Sequence, residues 1–130
     1  MLFIQDGLVQ LDKLLIIQFV ILLKKKIVIQ KKCICLIGPC LSKKHLEVQD
    51  DVINQVKKMN FDTSPFYQKT DETHYLLDNK GLNKQQLLNL GVLEENIQVS
   101  SYCTNENNDL FFSHRVNHDG QRNVTIIKRK

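Results

Sequence analysis

At 130 residues the chain has room for one domain and one core, with little to spare. Its 42% hydrophobic and 25% charged content is ordinary for a folded soluble chain and argues against a disordered or collagen-like one. The net charge of +4 is unevenly laid: residues 1–46 carry eight Lys against Asp6 and Asp12, or +6, and the remainder carries ten basic and twelve acidic groups, or −2. Aromatic residues do not interleave with these lysines, so they read as a solvated basic stretch rather than a nucleic-acid surface.

Taken in order, Leu14–Leu23 is the first apolar run. It has about half the length that a bilayer span needs, and Gln18 interrupts it. Lys24–Lys26 follow it where a secretory signal would carry small residues. The expectation is a cytoplasmic chain with reduced thiols. As a helix this run would be apolar almost all the way round and would need burial on most sides. Ile27–Ile37 reads as one or two strands. Cys33–Ile37 has no polar alternation, which suits a central strand buried on both faces, and Gly38-Pro39 ends it.

Glu47–Met59 has helical spacing at Val48, Val52, Val56 and Met59. Its acids (Glu47, Asp50, Asp51) open the helix and Lys57-Lys58 close it, as the helix dipole prefers. Residues 60–73 read as a loop carrying Pro65, and His74–Leu77 as a short strand. A second helix is predicted over Asn83–Leu90, with Asn83 as N-cap and Gly91 as the stop. Further strands are predicted at Ile97–Val99, Leu110–Ser113 and Val124–Ile127, with a turn at Asp119-Gly120. The fold class is α+β, a mixed β-sheet with two main helices.

Several residue groups are candidates for chemistry. Cys33, Cys35, Cys40 and His45 form a C-x-C-x4-C-x4-H series, which is not a finger spacing. Cys33 and Cys35 share a strand face, cannot readily bridge each other and read as core thiols. His114 and His118 lie four apart in what reads as strand and loop, a surface pair. Cys103 opens a polar loop and could be a nucleophile beside a His, but the sequence names no partner for it. Arg115, in Phe111–Arg115, can offer a two-pronged fork to a phosphate or a ribose oxygen. Arg122 is a weaker candidate of the same kind, and a surface ion pair is the alternative for both.

Four blocks occur in a recognisable order. They are Ile37-Gly38-Pro39 with Leu46-Glu47-Val48; Asp78, Asn83, Gln86-Leu87 and Gly91-Val92; Asn96-Ile97, Cys103-Thr104 and Phe111-Phe112-Ser113; and Gly120 with Arg122. From about residue 20 onward these resemble the laccase-domain family, first called multicopper polyphenol oxidoreductase-like proteins and now described as purine nucleoside phosphorylases. The chain departs from the family pattern at Asn79, at His114 and Val116, and where Gln121 separates Gly120 from Arg122.

The resemblance implies a partial version of the laccase-domain fold over residues 19–130, with 1–18 an unmatched segment. Residues 19–26 look like the end of a family helix. It implies phosphorolysis of adenosine, inosine and S-methyl-5′-thioadenosine (transferase chemistry), with adenosine deaminase (hydrolase) activity beside it. Purine nucleoside and phosphate would be the partners, Arg115 and Arg122 the substrate- or phosphate-binding residues, and neither nucleic acid nor membrane is expected. The intact family holds zinc, or copper, on two His and one Cys of its N-terminal half, the second His in a His-Ala-Gly-Trp type motif. This chain has no Trp, and no His before His45. No residue is therefore assigned as a metal ligand or catalyst, and no metal is expected on this chain. A truncated or frame-disrupted member would give this picture, inactive alone. The alternatives are a non-catalytic remnant or interaction protein, and, more weakly, a small basic binding module. A homo-oligomer would cover a sheet edge left open.

Overall fold

The computed structural model describes residues 2–4, 32–124 and 126. Within them the chain forms strands β1 (Leu2–Ile4), β2 (Cys35–Ile37) and β3 (Glu47–Gln49), helix α1 (Asp50–Lys57), strands β4 (Tyr67–Lys69) and β5 (His74–Leu77), helix α2 (Asn79–Asn89), strand β6 (Ile97–Val99) and a single-turn helix α3 (His114–Asn117). Two three-stranded sheets result. One is parallel in the order β1-β2-β6, and the other is antiparallel in the order β3-β5-β4. The class is α+β, as expected. The apolar run Leu14–Leu23 and the first part of the Ile27–Ile37 strand pattern, residues 27–31, lie outside the described residues. No described helix is long and apolar enough to cross a membrane.

Each sheet has its own core. Cys33, Cys35, Ile37 and Ile97 pack with Leu87 and Val92 beneath the parallel sheet. Ile53, Val56, Tyr75, Leu77 and Leu82 pack beneath the antiparallel one. Helix α2 contributes to both, through Leu87 to the first and Leu82 to the second.

β2 is central in its sheet, but it is not buried on both faces within the described residues. Cys35 and Ile37 point inward, whereas Ile34 is 46% exposed and Leu36 is half-buried. Alternation of side chains along a strand sends these two to the face that α2 does not cover. Cys33 and Cys35 sit side by side with their sulfurs 3.7 Å apart, and both are free thiols. Burial, then the neighbouring Cys33, pushes the Cys35 thiol up to about 12. It stays neutral and packs as an apolar group.

The first main helix begins three residues later than its periodicity predicts. Glu47–Gln49 are extended and pair with Leu76, Tyr75 and His74. Spacing between Val48 and Val52 fits a helix, but a ladder partner was available and sheet pairing won. Residues 60–73 are not all loop. The Asp62 carboxylate accepts from the Ser64 N–H at 3.0 Å, Pro65 sits in a 3₁₀ turn over Ser64–Phe66, and β4 follows as an edge strand. Being short and largely polar, β4 leaves no hydrophobic pattern to read.

Helix α2 starts four residues earlier than expected. Its N-cap is Asp78, whose Oδ1 accepts from the Gly81 N–H at 2.9 Å. Asn83 is a buried interior residue that donates to the Asn79 carbonyl at 3.0 Å. Gly81 is required by the cap itself: a Cβ there would lie 2.5 Å from Asp78 Oδ2 and 2.8 Å from the Phe66 ring. At the other end Gly91 takes a φ of 89°, the left-handed stop that the sequence predicts. Asp78→Ala is expected to cost about 1 kcal/mol in urea unfolding, with Asp78→Asn recovering most of it.

Leu110–Ser113 is not a strand. The Asn123 side chain closes on Phe112, accepting from its N–H at 2.9 Å and donating to its carbonyl at 2.8 Å. Both of the groups that Phe112 would offer to a ladder are thereby satisfied. Val124 and Ile126 are exposed and in no strand, and the rest of the predicted final strand lies outside the described residues.

Candidate functional site

Two tight turns meet beside the end of the parallel sheet. The first follows β2: His45 and Leu46 donate to the Ser42 carbonyl at 3.0 and 2.9 Å. The second follows β6: Asn107 donates to the Cys103 carbonyl at 2.9 Å, which folds Glu106 back over Cys103. An isolated parallel bridge between Cys40 and Cys103 locks the two turns together, with Thr104 N–H on the Cys40 carbonyl at 3.2 Å. Lys80, in the first turn of α2, donates to the carbonyls of Ser100 and Tyr102, both at 2.7 Å, and fixes the approach to Cys103.

This construction brings together three side chains that are far apart in sequence. His45 Nε2 and Glu106 Oε1 are 3.0 Å apart, and a ring nitrogen of His45, a carboxylate oxygen of Glu106 and the Cys103 sulfur all lie within 4.8 Å of one another. Cys103 is 2% exposed; the His45 and Glu106 side chains are 33% and 51% exposed. The cluster has a buried floor and an open mouth. The Ser42 N–H points at the sulfur at 3.4 Å. Burial pushes the Cys103 thiol up, yet the Ser42 hydroxyl and the N–H groups of Glu106, Ser42 and Asn105 outweigh it and bring the thiol down to about 7. A thiolate, an imidazole and a carboxylate converging in this way can bind a divalent metal or share a proton.

Arg115 is on helix α3, not on a strand. Its Nη2 donates to the Glu47 carbonyl at 2.8 Å, so it docks two residues along from His45. The guanidinium is exposed, and this one bond leaves its other donors facing solvent. Arg122 donates to the Gln121 carbonyl at 2.9 Å, and no described bond joins it to Arg115 or to the cluster. His114 and His118 are brought together, but by a helical turn rather than by strand and loop. Their rings stack edge to face with centroids 5.9 Å apart, and His118 ends the turn at a φ of 52°.

Among the described residues, the C-x-C-x4-C-x4-H series does not assemble. Cys33 and Cys35 lie in the core, while Cys40 and His45 sit on the turn beyond it. Glu106 was invisible as a site residue. It lies 61 residues from His45, and nothing in CTNENND separates it from a solvated loop acid. The one available signal was that His45 and Cys103 each sit in a block carrying the resemblance.

At the carboxyl ends of β2 and β6, a shallow groove of about 450 Å³ is lined by Gly38, Pro39, Ser100, Ser101 and Tyr102. Ligands of open parallel sheets enter at this end of the strands.

A family model described as "Multi-copper polyphenol oxidoreductase laccase" matches residues 15–130. The purine nucleoside phosphorylase of Staphylococcus epidermidis is 36% identical over 96 residues, which are 72% of this chain and 36% of that protein. The purine nucleoside phosphorylase YlmD of Bacillus subtilis is 35% identical over 79 residues, 61% of this chain and 28% of that protein. Among solved structures, YfiH of Bacillus licheniformis superposes with a TM-score of 0.72 at 27% identity. YlmD of Geobacillus stearothermophilus gives 0.69 at 30%. Each superposition covers 75% of this chain and 37% of the other. The chain thus spans between 28% and 37% of the length of these relatives.

Proposed function

Since this chain belongs to the multi-copper polyphenol oxidoreductase laccase family, we propose that it serves purine nucleoside phosphorolysis, as the part of such an enzyme that handles phosphate and ribose. The observation that carries this is its 36% identity with a protein named purine nucleoside phosphorylase. The substrates are inosine, adenosine and S-methyl-5′-thioadenosine, with adenosine deamination as a second activity. Residues 19–130 are proposed as the C-terminal part of the laccase-like domain, with residues 1–18 an added segment whose Leu2–Ile4 pairs with β2. The site of action is the cytoplasm, where the four cysteines remain thiols.

Arg115 is the residue proposed to meet phosphate. Its bond to the Glu47 carbonyl holds the guanidinium in place, and its remaining donors, which make no bond among the described residues, would form a charge-assisted fork. Arg122 is proposed as a second, more loosely held contact. The family metal on two His and one Cys is not assigned to these residues: the chain has no Trp from which to build the His-Ala-Gly-Trp type motif. The 130-residue chain alone is therefore proposed to be inactive. A second reading, an interaction protein without catalysis, is favoured by the same absence.

The test is phosphate-dependent conversion of inosine to hypoxanthine by the purified chain, with deamination of adenosine followed in parallel. Neither reaction is expected above background. Sustained turnover would overturn inactivity of the isolated chain and make it an enzyme in its own right.

A further inference from the structure

We propose that His45, Cys103 and Glu106 form a zinc site with one coordination position open. It is a different donor set from the two His and one Cys that the resemblance implies, and it does not depend on the phosphorolysis reading.

Three observations carry it. The first is chemistry: imidazole nitrogen, thiolate sulfur and carboxylate oxygen are the ligands that zinc takes, and three protein ligands leave a fourth position for water or an anion. The second is geometry. In a tetrahedral zinc shell neighbouring donor atoms are about 3.5 Å apart. Here the nitrogen and oxygen are already 3.0 Å apart, and all three donors lie within 4.8 Å of one another. The His45 and Glu106 side chains, 33% and 51% exposed, have room to turn toward the buried sulfur. The third is construction. The Cys40–Cys103 bridge and the Ser42 N–H on the sulfur set the two turns against each other without metal, so a binding ion finds its ligands placed. Outer-shell bonds of this kind orient ligands in metal sites. Copper(II) is a poorer fit, because its single-thiolate sites take two imidazoles and this cluster offers one; zinc accepts the mixed N, S and O set. The other candidate ligand pair, His114 and His118, has no third donor among the described residues.

The full 130-residue chain should bind one zinc ion in competition with a chromophoric chelator. Cobalt(II) substituted for zinc should give a sulfur-to-metal charge-transfer band. Glu106→Gln is isosteric and partly exposed, so it keeps the fold, and it should weaken zinc binding by about tenfold or more. His45→Gln should do the same, and Cys103→Ala should abolish the cobalt band. Cys33→Ala should leave both readouts unchanged. Zinc should also raise the melting temperature of the wild-type chain, and raise it less in Glu106→Gln. Binding that is unaffected by Glu106→Gln and His45→Gln, a cobalt band that survives Cys103→Ala but is lost in Cys33→Ala, or no binding by a folded chain would each overturn the site. Failure of inosine phosphorolysis would leave these readouts unmoved, so the two proposals fail separately.

Discussion

Leu87→Ala is expected to destabilise the folded chain by about 2–5 kcal/mol, the cost of a buried Leu truncation with its residual cavity. Leu87 is fully buried against Cys35, Ile37, Val92 and Ile97. Its own carbonyl is also engaged, accepting from the Val92 N–H at 3.1 Å as the chain leaves α2. The backbone there has little freedom to collapse into the void, which places the effect in the upper half of the range. A domain has only about 5–15 kcal/mol of total stability, so this single change removes a large fraction of it. Leu87→Met, which keeps the volume, should cost less than about 1.5 kcal/mol. Urea unfolding followed by circular dichroism distinguishes the two.

Leu82→Ala is expected to cost a similar amount, but in the other core. Five residues along a helix place Leu82 about 140° round from Leu87. Leu82 is 1% exposed and packs with Ile53, Val56, Tyr75 and Leu77 beneath the antiparallel sheet. Helix α2 is thus a wall shared by both cores. Either truncation should therefore speed hydrogen exchange at amides of both β2 and β5, because loss of one anchor loosens the same helix. Faster exchange confined to β5 in Leu82→Ala, with β2 unchanged, would mean that the two sheets open independently.

The legibility of this chain followed the range of the forces involved. β5, β6 and the Gly91 stop were readable because their signals are local: a short apolar run or a glycine with a positive φ. β3 was misread because Val48 satisfies both a helical and a strand pattern, and only the partner strand decides between them. The Asp78 cap was missed because Asn83 is also a cap-forming residue and lies nearer the leucines that mark the helix; the Asp78–Gly81 bond decides between them. Leu110–Ser113 reads as a strand because three of its residues are apolar, but the Asn123 amide satisfies Phe112 instead. The site was half legible. Arg115 and Cys103 could be singled out, but the partners of Cys103 are His45, on a distant turn, and Glu106, on its own loop, and the Cys40–Cys103 bridge and the Ser42 N–H on the sulfur bring the two turns together.

Complementation tests the functional account most directly. This chain would be mixed with the portion of the Staphylococcus epidermidis purine nucleoside phosphorylase that precedes its matched region, and phosphate-dependent release of hypoxanthine from inosine would be measured. Release is expected from the mixture and from neither part alone. Arg115→Ala should lower it by about tenfold or more, the loss of one charge-assisted contact worth about 1.5–3 kcal/mol. No release from a mixture of two folded parts, or release indifferent to Arg115→Ala, would contradict the proposed role.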